Sequence, residues 1–297
     1  MVLTASGRVL ARLLVAAVAA LAVACGNDES GAMIAVGAGD SAESRVLAEI
    51  YAGALARTGA RVSVEERLGQ RDAQLAALDS GRVALLGEHS GALLAFLDSS
   101  SQARVPEKVT AALNRALPEG LAVADPADGT DMRPRVLLTA ESATRDGVRA
   151  LGDLAPRCGT LTAGTAPVPG LLELPAALNQ VPSCPFAGTA SLSGPELVRR
   201  ALLNGDAQVG VLSGPPTVDP AVLDGLVVLA DPDYVLRAQN VLPVYRKGAL
   251  DERRVKKLNY VAGELTTDEL VAMVRRVLEQ QAAPAELARA WLDAHGL

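Results

Sequence analysis

The sequence predicts an α/β protein in which two lobes, each with its own sheet, enclose a central cleft. Short apolar runs alternate with segments of helical periodicity along the chain, and this alternation is typical of largely parallel sheets. A second pattern occurs twice: residues 68–97 and 199–214 both suggest a helix, a glycine, a buried strand and a polar turn. Such a repeat indicates one sheet for each half of the chain. Clefts between paired lobes are preferred places for small-ligand sites.

The amino-terminal segment is predicted to be a signal peptide. Arg8 and Arg12 precede an uninterrupted apolar run over residues 13–24, which ends at Cys25. This run is too short for a membrane-spanning helix, which needs about 20 residues, and its small residues before a cysteine are typical of a lipoprotein cleavage site. We therefore predict a signal peptide over 1–24, lipidation of Cys25, and a tether over 25–32. An ordinary secretory signal with an incidental cysteine is the alternative.

Charge and residue composition argue against some kinds of function. Without residues 1–24 the chain has 26 basic and 34 acidic side chains, a net charge of −8, which argues against nucleic-acid binding. Cys158 and Cys184 remain, and an exported protein permits a disulfide that would stabilise the fold by ~3 kcal/mol. A metal site is less favoured because His89 and His295 are the only histidines. We predict neither a metal nor a cofactor.

The first three strands place three polar turns at one edge of a parallel sheet. Strands are expected over 33–36, 61–66 and 83–86, each followed by a helix. The turns at 37–43, 69–71 and 87–91 then lie at the carboxyl ends of the strands, where open sheets bind ligands. Structural roles compete with ligand binding: Asp40 and Glu43 are spaced as a capping box, Ser41 and Glu88 can cap helices, and His89 can be a buried structural imidazole. The candidate ligand contacts in these turns are Gly39, Asp40, Ser41, Gln70, Glu88, His89 and Ser90.

The remainder of the chain continues the alternation and ends in helices. A turn cluster over 126–131 indicates a domain boundary. A short helix is expected over 147–154. Two apolar strands are expected over 226–230 and 241–245, and the segment between them suits a connection by which the chain returns from one lobe to the other. The carboxyl-terminal part is expected to contain a helix over 251–264, a second helix that begins with a capping box from Thr266 to Glu269, and a third helix that begins at Pro284. Trp291, spaced four residues from Leu287, is expected in the core.

Five segments together resemble a known family: IAVGAGDSAESRVLAEIYAGAL, LGQRDAQLAALDSGRVALLGEHSGALL, GVRALGDLA, GLVVLADPDYVLRAQNVLPVYR and ARAWLDAHGL. Their order and spacing are similar to the substrate-binding lipoproteins of glycine betaine, carnitine and choline ABC importers. The resemblance implies a type II periplasmic-binding-protein fold, with lobe 1 over 33–131 and 241–297 and lobe 2 over 132–240. It also implies a small-molecule solute, an ABC permease partner and a monomer. Further site candidates are Asp131, Ser213, Gln239 and Asn240, although Asn240 can equally fix the hinge turn.

Two departures from the family bear on the ligand. His89 and Gln239 stand where the family usually has aromatic residues. Of the seven aromatic side chains, four are expected on helical core faces, Tyr51, Phe96, Tyr260 and Trp291, which leaves Phe186, Tyr234 and Tyr245. Quaternary ammonium recognition depends on a cage of aromatic faces. The sequence therefore predicts weak binding of betaine and better binding of a hydroxylated or carboxylated solute, with dependence on His89 and Asp40.

The predicted function is capture of a compatible solute by lobe closure and delivery to a permease, from a site anchored by lipid outside the cytoplasm. A two-lobed lipoprotein that lost transport and acts as a sensor or interaction module is the alternative that stays open. An enzyme is not predicted. A hydrolase would need His89 as its base, and no nucleophile motif accompanies it.

Overall fold

The computed structural model describes residues 33–166, 170–172, 181, 184–214, 217 and 219–297. The predicted signal peptide, the lipidated Cys25 and the tether lie outside these residues. In the described ranges, no helix combines the length and the apolar character that crossing a membrane requires.

The amino-terminal part builds most of the first sheet by strand–helix alternation. Strand β1 pairs in parallel with β2 on one side and with β3 on the other, as the alternation predicts. The elements are β1 (Ile34–Gly37), α1 (Ala42–Ala56), β2 (Val62–Glu65), α2 (Arg71–Asp79), β3 (Leu85–His89), α3 (Ser90–Leu97), α4 (Pro106–Ala116) and β4 (Leu121–Val123).

The middle part builds a second sheet with strand order β7-β6-β8-β5-β9. Its strand β6 is parallel to β7 and β8, whereas β5 is antiparallel to β8 and β9. Two short 3-10 helices, Leu151–Leu154 and Cys158–Thr160, precede β6. The other elements are β5 (Arg135–Thr139), α5 (Ala140–Asp146), β6 (Thr162–Thr165), β7 (Gly188–Ser191), α6 (Pro195–Asn204), β8 (Val209–Leu212), α7 (Pro220–Leu223) and β9 (Leu226–Val228).

The carboxyl-terminal part returns to the first sheet. Strand β10 (Val241–Arg246) lies antiparallel between β3 and β4, which gives the order β2-β1-β3-β10-β4. It is followed by α8 (Glu252–Glu264), α9 (Thr267–Gln280), which begins with the predicted capping box, and α10 (Pro284–Ala294). The chain thus crosses between sheets before β5 and again before β10. Every strand falls on the expected side of the predicted boundaries at 131 and 240, which themselves remain predictions.

Each face of the first sheet has its own core. Helices α1, α8, α9 and α10 pack on one face, where Tyr51 and Trp291 are buried as expected. Helices α2, α3 and α4 cover the other face. The second sheet is likewise covered by two apolar clusters. A disulfide joins Cys158 to Cys184, with Cα atoms 4.9 Å apart, and so ties the second 3-10 helix to the segment before β7.

Several expectations about local structure are wrong. Residues 87–91 form no turn, because pairing with β10 extends β3 as far as His89, and α3 begins at the next residue. No helix spans 147–154: Gly147, with φ 67°, ends α5 in the left-handed region, and only a 3-10 turn follows. Phe96 and Tyr260 are about half exposed, at 49% and 53%, because their helices turn these positions to solvent.

Candidate functional site

All the predicted ligand contacts except Ser213 lie at the edge of the first sheet where β1, β2 and β3 end and β10 begins. They separate onto the two faces of that sheet. One group, here called the α1 side, comprises residues 39–43 and His89 together with Gly170–Leu172. The other, here called the α4 side, comprises the amino-terminal half of α4 and the crossover residues 126–131 and 234–240.

On the α1 side, Glu43 and His89 form a buried pair. The exposed fractions are 0% for Glu43 and 1% for His89, and His89 Nε2 lies 2.7 Å from Glu43 Oε1. The second carboxylate oxygen, Oε2, accepts the backbone N–H of Leu172 at 2.7 Å. The backbone N–H of Glu43 donates to the carbonyl oxygen of Gly170 at 2.8 Å. Burial raises the pKa of the nearby Tyr51 phenol, and the charge of Glu43 raises it further.

The capping-box interpretation of Asp40 and Glu43 is therefore wrong. Ser41 is the N-cap of α1, and its hydroxyl oxygen accepts from the backbone N–H of Ser44 at 3.0 Å. Glu43 points into the core. The sequence signal was its spacing from Leu47 and Ile50, because residues four and seven positions apart share one face of a helix and those two are buried.

The remaining residues near the α1 side have structural contacts or lie at the surface. The backbone N–H of Gly39 donates to Ser44 Oγ at 2.8 Å, and a Cβ on Gly39 would lie 2.3 Å from Gln74 Nε2 and 2.9 Å from a carbonyl oxygen. Only glycine fits at this position. Asp40 and Gln70 are exposed.

Glu88 points to the opposite face of the sheet from His89. Arg71 binds its carboxylate in a bidentate manner, with Nε at 2.8 Å from Oε1 and Nη2 at 3.0 Å from Oε2. The Glu88 side chain is 1% exposed and that of Arg71 is 12% exposed. Glu88 also accepts the backbone N–H of His89 at 3.1 Å. These contacts orient the end of β3.

Ser90 and Asn240 connect the start of α3 to the crossovers. Ser90 Oγ accepts the backbone N–H of Asn240 at 3.1 Å, and Asn240 Nδ2 donates to the carbonyl oxygen of Thr130 at 2.7 Å. Thr130 Oγ1 in turn accepts the backbone N–H of Val241 at 2.8 Å. These bonds hold the backbone of both crossovers together at the start of α3, whereas a hinge role for Asn240 stays a prediction.

Arg133 joins the two crossovers. Its Nε and Nη2 each lie 2.9 Å from Asp131 carboxylate oxygens, its Nη1 lies 2.7 Å from Asp231 Oδ2, and its guanidinium lies 4.3 Å from the centre of the Tyr234 ring. Burial alone would raise the pKa of Asp131, but the hydrogen bond from Arg133 and the charges of Arg135 and Arg133 hold it below its usual range. Sequence reasoning missed Arg133 and Asp231 because the pairing spans 98 residues.

The α4 side contains a cavity of about 670 Å³. It brings together Asp131, Gln239 and Asn240 from the predicted set, with the ring of Tyr234. Two further carboxylates, Glu107 and Asp128, line it and were missed, since neither follows a strand directly. No lysine or arginine is among its described lining residues.

Gln239 lines this cavity but has its amide group buried. Its Oε1 accepts the backbone N–H of Ala92 at 2.9 Å, whereas its Nε2 has no partner among the described residues. The residue is 1% exposed, and a Cβ on Gly91 would lie 2.8 Å from this Nε2 atom. The unpaired donor therefore lies beside the start of α3.

The last two points concern the position of Ser213 and the side chains that could bind a metal ion. Ser213 follows β8 in the second sheet, is half-buried, and does not line the cavity. Among the described side chains there is no group of three histidine, cysteine or acidic residues that could hold a metal ion.

The comparisons with known proteins come from sequence and structure. The family model for the substrate-binding domain of ABC-type glycine betaine transport systems, OpuAC, matches residues 32–294. No curated protein sequence matches the chain.

Three solved structures indicate the fold. A glycine betaine/carnitine/choline ABC transporter protein is 17% identical with a TM-score of 0.68, over 89% of this chain and 98% of that one. Apo YehZ from Escherichia coli is 18% identical with a TM-score of 0.66, over 89% and 99%. Lactococcal OpuAC in a closed form with glycine betaine is 13% identical with a TM-score of 0.51, over 89% and 96%. The fold is that of the two-lobed type II periplasmic binding proteins. Because the family model covers nearly all described residues, the chain belongs to the family of substrate-binding domains of ABC-type glycine betaine transport systems.

Proposed function

We propose that this protein captures a small hydroxylated compatible solute in the cavity on the α4 side and delivers it to an ABC permease. The observation that carries the proposal is the convergence of Asp131, Gln239 and Asn240 with Tyr234 around one cavity in a member of a transport family. Pockets of several hundred Å³ with a few convergent polar groups are typical of small-molecule sites.

The lining favours hydrogen bonding over an aromatic cage. Tyr234 is the one aromatic residue among the described lining residues, and Arg133 already lies over its ring. A single cation–π contact provides about 0.5 to 1 kcal/mol at an exposed site and about 2 kcal/mol when desolvated, which is too little to hold a trimethylammonium group tightly. The carboxylates that line the cavity can accept hydroxyl protons. A carboxylated solute would face Glu107, Asp128 and Asp131, so we favour a neutral polyol or an amino polyol.

Solute capture would couple to lobe closure at the crossovers. A solute that binds the closed state better than the open one shifts the population toward the closed state. At a concentration one hundred times its dissociation constant, it stabilises the folded protein by about 2.7 kcal/mol. The two crossovers that line the cavity are the segments on which such a motion would turn.

The anchor and location follow from the sequence pattern. Cys25 after the apolar run 13–24 supports lipidation, and the lipid would supply the membrane affinity that the acidic body lacks. The protein would then act outside the cytoplasm as a monomer at the membrane face. Replacing Cys25 with Ala should release it from membrane fractions, and unchanged fractionation would contradict the anchor.

A solute panel tests the proposed function. Calorimetry should give weak affinity for glycine betaine and choline, with dissociation constants well above the micromolar range, and tighter binding of a polyol or amino polyol. The double variant Glu107→Ala/Asp128→Ala should lower the affinity for the polyol by roughly tenfold or more, because each substitution removes a carboxylate that can accept a hydrogen bond from the solute. Glu119→Ala, at an exposed position outside the cavity, is the control. Sub-micromolar betaine affinity, or polyol affinity that the double variant leaves unchanged, would overturn the proposal.

A further inference from the structure

A short segment of the second lobe lies on the first lobe. Gly170–Leu172 belongs to the connection between β6 and β7, both strands of the second sheet. Leu172 is 6% exposed and is part of the apolar cluster built by α1, α8, α9 and α10, and Leu171 packs against the same cluster. The second lobe therefore contributes an apolar side chain to the core of the first.

The backbone of this segment occupies the amino end of α1. The first N–H groups of a helix have no partner within the helix, and they bind ligand oxygen atoms in many open α/β folds. Here the Gly170 carbonyl oxygen accepts the N–H of Glu43 at 2.8 Å, and the Leu172 N–H donates to Glu43 Oε2 at 2.7 Å. The chain itself supplies the acceptor and the donor that a polar solute would present.

Gly170 has a backbone conformation that favours glycine, with φ 89° in the left-handed region. A Cβ there would lie 2.7 Å from Leu278 Cδ2 of α9, the end of a side chain that is 40% exposed and can move. The positive φ is therefore the main constraint on residue 170. A second contact between the lobes lies near it, where Arg275 of α9 is 3.6 Å from Asp219 at the start of α7.

We propose that Gly170–Leu172 is an intrinsic latch, which covers the amino end of α1 and holds the two lobes together without the help of a solute. Glu43 is the positioning residue that holds the latch, and His89 fixes the Glu43 carboxylate at 2.7 Å. The latch excludes solutes from the α1 side and leaves the cavity on the α4 side as the place that they can enter. That last consequence rests on the proposed function, whereas the latch does not.

The exchange rate of the Glu43 amide proton tests the latch without any solute. That N–H donates to Gly170, so hydrogen exchange followed by NMR should be faster by about tenfold or more in Leu172→Ala. The matched control is Leu202→Ala, because Leu202 is 3% exposed in a core that belongs to the second lobe alone. The control should melt earlier but retain slow exchange at Glu43.

A second pair of variants separates the latch from general destabilisation. Gly170→Ala and Gly205→Ala both place alanine at a positive φ, 89° and 80°, but a Cβ on Gly205 has nothing within 4 Å. Only Gly170→Ala should accelerate exchange at Glu43. Unchanged exchange in both Leu172→Ala and Gly170→Ala, or equal acceleration in the two controls, would overturn the latch. Failure of the proposed function would instead appear in the solute panel and leave this experiment unaffected.

Discussion

The α1 side and the α4 side occupy the same edge of one sheet and differ in how their polar groups are used. On the α1 side, Glu43 is buried and bonded to His89 and to the backbone of the second lobe. On the α4 side, Asp131, Gln239 and Asn240 line a cavity of about 670 Å³. Polar residues after a strand therefore predict a place where hydrogen bonds are made. The open space beside them is what leaves room for a ligand on the α4 side.

The largest expected effect is a loss of protein stability when Glu43 on the α1 side is replaced. Replacing Glu43 with Ala leaves His89 Nε2 and the Leu172 N–H without their partner in a buried site, and loss of a buried charged partner typically costs about 3 to 5 kcal/mol. The free energy of unfolding from urea denaturation should fall by that amount.

The comparison variant for stability is Asp128→Ala on the α4 side. Asp128 is exposed, and a surface substitution of this kind usually changes stability by no more than about 0.5 kcal/mol. If the two variants unfolded at the same urea concentration, the contrast between a filled side and an open side would be wrong.

The second effect concerns ligand choice. Gln239→Tyr adds an aromatic ring to the lining of the cavity, and one cation–π contact of about 1 to 2 kcal/mol should strengthen betaine binding roughly fivefold or more. His89→Tyr, at a position that contacts Glu43 and does not line the cavity, should leave betaine affinity unimproved. Gln239 and His89 are both 1% exposed, so both variants should lose stability, and only the affinity of the folded protein for betaine separates them. Calorimetric titration of both variants with glycine betaine measures the two affinities. Improvement at position 89 but not at 239 would place the solute on the α1 side.

The smallest effect is a pH dependence of stability from Asp131. Because its pKa is held below the ordinary value of about 3.9, its contribution is complete above that value and is lost as the pH falls through the lower folded-state pKa. Asp131→Asn should therefore be less stable than the wild type at neutral pH, and the difference should shrink below about pH 4. Urea midpoints between pH 2 and 7 measure it, with the exposed Asp40→Asn as control. A difference that grew on acidification would contradict the role of Arg133.

Local signals account for what the sequence predicted. The three parallel strands followed from apolar runs and turn residues, the start of α9 from its capping box, and the return strand β10 from its apolar run. Strand β7, Gly188–Ser191, has no apolar alternation and was missed. Asp131, Gln239 and Asn240 were predicted together with the resemblance to the family, and their role as ligand contacts stays a prediction.

The rest depends on contacts that are distant in sequence. Glu43 lies 46 residues from His89 and 129 from Leu172, so nothing near it in the sequence identifies its partners. The same holds for Asp131 and Asp231, which Arg133 brings together. A helix-capping interpretation was the natural local choice for Glu43, and only tertiary packing contradicts it.

The central claim is that solute binds on the α4 side, and the most direct measurement is an NMR search for nuclear Overhauser effects between a bound polyol and the protein. We expect contacts from the Gln239 side-chain amide and the Tyr234 ring to the solute, at a solute concentration that matches the calorimetric affinity. The ring protons of His89 should show none. Contacts to His89 and to the Glu43 amide, with none to Gln239, would contradict the account.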